Sequence, residues 1–300
     1  MTSRLTRGSA LITDKTLHDH VSRLQHDHPP IRIESVDRTI LDPQAVRTRF
    51  ASTIDYLARV ELEVELNVLE LLLILPEPSE VDRFFYADVW SDQELAHGHV
   101  LDQLQQDLGL APAQPHLEVA FSMKLLGALA PLKPVQDIAR LLYYLTGAST
   151  ERQAVLAYSS IIKGLDEMGE RAISSTIIHP IKVQEPGHFA FYKMSAQKMI
   201  QDAELRPWQL HVARLLRRAS FELAGTLGMP QRREQMGEVI HQLGFDDDLE
   251  KYAKEIGRFE AQVLWAQSQG LEFPPYFLAA LRESVELYRE RGEFGRARAG

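Results

Sequence analysis

The chain has 300 residues, 45% of them hydrophobic, enough to bury a sizeable core as one large unit or two ordinary ones. Acidic residues outnumber basic ones 42 to 33, a formal net charge of −9, so the overall electrostatics argue against nucleic acid and anionic membrane surfaces as partners. Cysteine is absent, which rules out disulfides, thiolate metal sites and cysteine nucleophiles and leaves carboxylate and imidazole to hold any metal.

Residues 1–42 are polar, carry His18, His20, His26 and His28 without regular helical spacing, and pass through Pro29 and Pro30 into a short extended-looking stretch at 31–35. They read as a solvated N-terminal arm. The start of the chain lacks the apolar core of a signal peptide, and the best apolar run, 68–75, is interrupted by Glu70 and too short to span a bilayer. The expectation is a soluble cytoplasmic protein.

From Pro43 helical periodicity takes over. Leu57, Val64, Val68, Leu71 and Leu75 mark one stripe, predicting a single helix that Pro76-Glu-Pro-Ser closes. A second helix is expected over 80–108, stopped by the breakers of 109–115, with shorter helices to residue 130. A third runs over 134–163, with Pro134 suited to its first turn and a break expected at Gly147-Ala-Ser-Thr. A fourth covers 170–202, and amphipathic helices follow at 207–227, 230–243, 247–268 and 275–291, ahead of a tail at 293–300. Helices of nearly thirty residues joined by short loops imply an all-α fold, a four-helix bundle over 43–205 with additional C-terminal helices at 206–292 packed on it in the same domain.

A Glu-x-x-His on a helix sets a carboxylate and an imidazole on one face, one turn apart, where both can ligate one metal. The chain has three: Glu94 with His97, Glu185 with His188, and Glu238 with His241. A glutamate-rich composition produces such pairs by chance, so spacing decides. A two-metal carboxylate bundle needs one Glu from each of two helices and a Glu-x-x-His from each of the other two, all at one height. Antiparallel neighbours then carry ligands equally far on either side of their loop. Glu61 and Glu94 flank the 76–79 loop in this way, as Glu151 and Glu185 flank the 164–169 turn. The halves also repeat, Glu151 following Glu61 by 90 positions while Glu185 and His188 follow Glu94 and His97 by 91 each. The candidate metal and catalytic set is therefore Glu61, Glu94, His97, Glu151, Glu185 and His188.

Glu65, one turn beyond Glu61, competes for the first position. Glu61 is preferred for its loop symmetry and its place in the stripe with Leu57, Val64 and Val68, where a carboxylate needs a metal or a partner. Glu63 and Glu70 read as solvated, and Glu238 with His241, lacking an equivalent partner helix, as a surface pair.

The segment Trp90-Ser-Asp-Gln-Glu94-Leu-Ala-His97-Gly98 resembles the second bundle helix of the acyl-carrier-protein desaturases, and Thr150-Glu151-Arg152-Gln153-Ala154 resembles their third metal-bearing helix. With Glu185 and His188 the resemblance spans about residues 45–200, and it extends less closely to other ferritin-like di-iron oxygenases. It implies a ferritin-like bundle holding two iron ions, or a manganese–iron pair, with Glu61 and Glu151 terminal, Glu94 and Glu185 bridging and one histidine per ion. The implied activity is an O2-dependent oxidoreductase that desaturates, hydroxylates or N-oxidises a small-molecule or carrier-protein-bound substrate, with electrons from an external ferredoxin or reductase. A homodimer is a further expectation. Ferritin-like metal storage and a metal-free helical interaction module are the competing functions.

Two departures from the family pattern stand out. Gln184 occupies the place of an acid, leaving the usual support for a histidine to come from elsewhere, and Pro186-Gly187 inside the fourth motif predicts a kink or a helix start near Glu185. Tyr143, Tyr144, Tyr158, Phe189, Phe191 and Tyr192 read either as a channel lining or as plain core. Arg214, Arg217, Arg218, Arg232 and Arg233 read either as a dock for an acidic carrier or as a solvated face.

Overall fold

Helix signals in the N-terminal segment are stronger than its polar composition suggests. In a computed structural model, which describes residues 11–75, 77–119, 124, 127–128, 132–227 and 229–299 (without the side chains of 230 and 292–299), it forms α1, Asp14–Asp27. Thr13 caps it by accepting from the Thr16 amide at 3.1 Å, and Leu17, Val21 and Leu24 fall on one buried face. The expected solvated arm is thus a packed helix over residues 14–27, followed by a largely exposed stretch to residue 42 in which a 3-10 turn, Ile33–Ser35, takes part of the expected extended segment; residues 1–10 lie outside the described part.

Asp42 caps α2, Pro43–Leu62, by accepting from the Ala45 amide at 2.9 Å, with Pro43 in the first turn. The single helix expected to run on to residue 75 breaks at Glu63, whose φ of −82° and ψ of 3° start α3, Val64–Ile74. Ser79 caps α4, Glu80–Phe85, which passes through a π turn, Tyr86–Trp90, into α5, Ser91–Asp107. The shorter helices expected before residue 130, like Pro76, fall mostly outside the described residues. Next comes α6, Lys133–Glu167, unbroken through Gly147. A short turn at Arg171–Ile173 and a second π turn, Ser174–Ile178, lead into α7, His179–Gln201, which runs through Pro186 without ending. The remaining helices are α8, Pro207–Ser220, α9, Pro230–Gln242, α10, Leu249–Leu264, and α11, Pro275–Ala299, which covers most of the expected tail. No strand occurs among the described residues, so the all-α expectation holds for them.

Two antiparallel helix pairs make the centre. Arg47 of α2 reaches Gly109 just after α5, while Leu62 packs on Gly98. On α6 and α7, Tyr192 lies against Gly147 and the Ser174 hydroxyl donates to Asp166 at 2.8 Å. The apolar core divides into two clusters, and the division falls at one level on every helix of these pairs. Ala58, Leu101, Ala157 and Ile181 belong to one cluster, and Val64, Trp90, Ala148 and Phe191 to the other. The polar layer between them contains all six candidate ligands.

Outside the pairs, α9 packs on α2, α10 on α6 and α11 on α9, while α1 lies across α4 and α7. Ser52 donates to Glu238 at 2.6 Å and Thr53 to Gln242 at 2.7 Å, fixing α9 on α2. No helix among the described residues is long and apolar enough to cross a membrane.

Candidate metal centre

Glu61 lies in the last turn of α2, Glu94 and His97 near the start of α5, Glu151 midway along α6, and Glu185 and His188 in α7. All are buried, with exposures from 7% at Glu61 down to 0% at His97, Glu185 and His188. Glu65, on α3, is exposed, whereas Glu61 is buried beside the other candidate ligands.

The six residues form two overlapping groups. Glu61, Glu94, His97 and Glu185 bring four donor atoms within 4.8 Å of one another, and Glu94, Glu151, Glu185 and His188 do the same. Nδ1 of His97 lies 3.4 Å from Glu185, 3.8 Å from Glu94 and 4.0 Å from Glu61. Nδ1 of His188 lies 2.8 Å from Glu94, 3.6 Å from Glu185 and 3.9 Å from Glu151. The two imidazole centroids are 6.3 Å apart. Glu94 and Glu185 therefore stand between the two histidines, while Glu61 and Glu151 sit at opposite ends.

Neighbouring side chains orient these groups. The Tyr158 hydroxyl donates to Glu61 and the Trp90 indole to Glu151, the latter at 3.3 Å. Nε2 of His97 meets Oε1 of Gln184 at 2.7 Å, and Nε2 of His188 meets Oε1 of Gln93 at 2.6 Å. Gln184, which the family pattern marks as a lost support, thus supports a histidine directly. Gln93 does the same on the other side, and sequence reasoning missed it although a glutamine precedes both motifs.

Burial pushes the Glu61 and Glu151 carboxyls well above the usual range, and the Glu94 and Glu185 carboxylates beside them add to the effect. Burial acts upward on Glu94 too, but contacts with Glu61 and both imidazoles outweigh it and hold that carboxyl low. For the histidines burial disfavours charge, yet the adjoining carboxylates prevail, raising His97 and taking His188 to about 9.

One feature separates this cluster from an ordinary buried ion network. Glu94 Oε1, both oxygens of Glu185 and Nδ1 of both histidines are buried without a hydrogen-bond partner, the close approach of His188 to Glu94 being misaligned for one. Each such group costs about 1–3 kcal/mol if nothing else satisfies it. All five belong to the donor set, and oxygen and nitrogen donors of this kind suit divalent metal ions. Four carboxylates with two neutral imidazoles also match two divalent cations in charge. The residues fit a pair of ions.

Beside the carboxylates a narrow cavity of about 80 Å³ opens between the bundle and the C-terminal helices. Glu61, Glu94 and Glu151 form its inner wall; Leu57, Val60, Met236, Val239, Ile240 and Tyr252 are among the apolar residues around it. None of the aromatic residues read as channel lining or plain core lines this cavity: Tyr158 bonds to Glu61 at the centre, and the other five pack away from it. Phe191 stacks on Phe85 at 3.7 Å, with Tyr143, Tyr144 and Tyr192 in the same aromatic cluster, and Phe189 meets Phe259 at 6.1 Å. These are core.

Comparison with family models, curated proteins and solved structures finds no match to this chain.

Several further expectations change. Glu63 is not solvated: it is buried, pairs with Arg232 and accepts from the His116 amide at 2.6 Å. Glu70 is likewise buried. Nor do the five arginines make a free basic patch. Arg217 is buried against Glu260, Arg233 pairs with Glu222 and Glu283, and Arg214 and Arg218 lie over the Trp265 ring. His241 is exposed and paired with Asp246 at 2.9 Å, away from the centre as expected. Pro186 is exposed, so the Lys182 carbonyl that loses its usual amide partner faces outward, and the helix continues.

Proposed function

We propose that Glu61, Glu94, His97, Glu151, Glu185 and His188 hold two metal ions, iron by preference or a manganese–iron pair, in a ferritin-like four-helix bundle. The chain is then a cytoplasmic oxidoreductase that uses O2 to desaturate, hydroxylate or N-oxidise an apolar organic molecule. The observation that carries this reading is the convergence of five orphaned buried donor atoms from two overlapping ligand groups. When bound, such a pair of ions would activate O2, which is itself the oxidant.

The protein's own residues do the rest. Glu61, Glu94, His97 and Glu185 would hold one ion and Glu94, Glu151, Glu185 and His188 the other. Tyr158 and Trp90 donate to the outer carboxylates and restrict their swing. Complete burial of both histidines and Glu185 excludes water from that side. On the other side the narrow apolar cavity would admit a slender, uncharged part of the substrate beside Glu61, Glu94 and Glu151. Electrons come from an external ferredoxin or reductase.

Metal content tests the proposal. Protein expressed with iron should carry about two ions per chain, consume O2 when reduced, and melt higher than the metal-free form, since a ligand at about 100 times its Kd adds roughly 2.7 kcal/mol per site. Glu185→Gln should lose both ions. A wild-type protein that binds neither iron nor manganese and shows no melting shift overturns the reading, and ferric mineral growth without turnover would favour storage.

A further inference from the structure

We propose that the segment from Leu24 to Pro29 clamps the metal centre, acting through Gln93 and Gln184 to hold both ligand imidazoles with Nε2 protonated and Nδ1 turned to the ions. The proposal rests on the metal reading above and adds to it a part of the chain that contributes no ligand.

The bonding pattern leaves little choice of proton position. Nε2 of Gln93 donates to the carbonyl of His28 and lies 3.5 Å from that of Leu24, and Nε2 of Gln184 donates to the carbonyl of Pro29 at 3.1 Å. A backbone carbonyl only accepts, so each amide must present its nitrogen to the N-terminal segment and its oxygen to the imidazole. That oxygen only accepts as well, so Nε2 of each histidine must carry the hydrogen. The lone pair on Nδ1 is then the one available to a cation. Two backbone carbonyls at the end of α1 thereby dictate the tautomer of two histidines that they do not touch.

The relay is crossed. Gln93 precedes Glu94 but supports His188, and Gln184 precedes Glu185 but supports His97. Each half of the bundle thus orients the histidine of the other, and the α1 terminus spans both. Glutamate at either position could accept from the imidazole but would set a second acceptor against the carbonyl, so the relay requires an amide. Other contacts hold the clamp in place. Leu24 packs so closely on Gly187 that a Cβ there would overlap it, His20 bonds to the Gly187 carbonyl at 2.8 Å, and Gln201 bonds to both the amide and the carbonyl of Ile12 at 3.1 and 3.0 Å.

Full-length Gln93→Glu and Gln184→Glu variants test the amide requirement. Manganese affinity should fall at least about tenfold, and amide hydrogen exchange in Asp14–Asp27 should quicken while that of Leu249–Leu264 stays unchanged. In the zinc-loaded wild type, 15N shifts should show both ligand histidines protonated on Nε2 and metal-bound through Nδ1. Coordination through Nε2, or glutamate variants with wild-type affinity and wild-type exchange in α1, overturns the clamp. If the variants do not fold, the wild-type 15N result alone decides. A wild type that takes up neither manganese nor zinc refutes the metal reading, and the exchange comparison still reports whether the two amides anchor α1.

Discussion

Replacing Gly147 with alanine tests how closely α6 and α7 must approach beside the centre. A Cβ at this position would lie 2.6 Å from Cδ1 of Tyr192 and nearer still to two other atoms of the ring. The ring has nowhere to go: Tyr192 is 1% exposed and makes edge contacts with Phe85 at 5.5 Å and Phe191 at 5.9 Å. Overpacking costs about 1–3 kcal/mol, and an overlap this deep with a ring that cannot move takes the upper part of that range, about 2–3 kcal/mol. Alanine's helical advantage over glycine returns about 1 kcal/mol. Gly147→Ala should therefore destabilise the protein by about 1–2 kcal/mol, a melting shift of roughly 2–3 °C for a chain of this size. In a Tyr192→Leu background the clash disappears and only the helical gain remains, so the same substitution should stabilise by about 1 kcal/mol. Urea unfolding of the four proteins of this cycle gives the answer. A Gly147→Ala that is neutral or stabilising in the wild-type background refutes the packing argument.

The metal-free protein should lose stability as pH rises from about 6.5 to 9. Raised values for Glu61, Glu151, His97 and His188 mean that the folded state binds more protons than the unfolded chain in this window, so their contribution is present at low pH and fades as pH passes through the folded values. The depressed Glu94 carries the opposite sign, but its change lies below its ordinary value of 4.5, outside the window. Melting temperature against pH should slope downward without metal and flatten with manganese bound; an upward slope in the metal-free protein contradicts the assignment. Arg217 donates to Glu260 at 2.9 Å, with Tyr276 donating to the same carboxylate. Arg217→Met should cost about 3–5 kcal/mol by leaving that carboxylate buried without its cation, and Arg217→Met with Glu260→Leu should recover most of it. A single-variant loss under about 1 kcal/mol in chemical denaturation would show that the pair is not truly desolvated.

The candidate ligands were legible because a buried carboxylate on an apolar stripe needs a reason, and loop symmetry placed four of them at one height. What stayed hidden depends on contacts distant in sequence. Glu63 looks solvated until Arg232, 169 positions on, is brought against it. The five arginines look like a patch because their acidic and aromatic partners belong to other elements. Gly147 looks like a helix break, whereas it marks the close approach of a neighbouring ring. Other features were readable and misjudged. Thr13, followed by Leu17, Val21 and Leu24, is an amphipathic helix with its cap, outweighed by the scattered histidines around it. The glutamine before each Glu-x-x-His was visible in both halves, but its role needs the carbonyls of α1.

The π turns at Tyr86–Trp90 and Ser174–Ile178 each precede a ligand motif on the same helical run. A π turn takes one residue more than an α turn, and each residue of an α-helix advances the face by about 100°. Upstream and downstream stretches of these runs are therefore held out of phase on purpose. Winding 86–90 as α turns without removing a residue would act as a rotation: with Val81 and Phe85 still seated in the core, Glu94 and His97 would swing toward the outside, whereas losing one residue there would turn the step from Phe85 to Trp90 into an ordinary α step and leave both ligands facing inward.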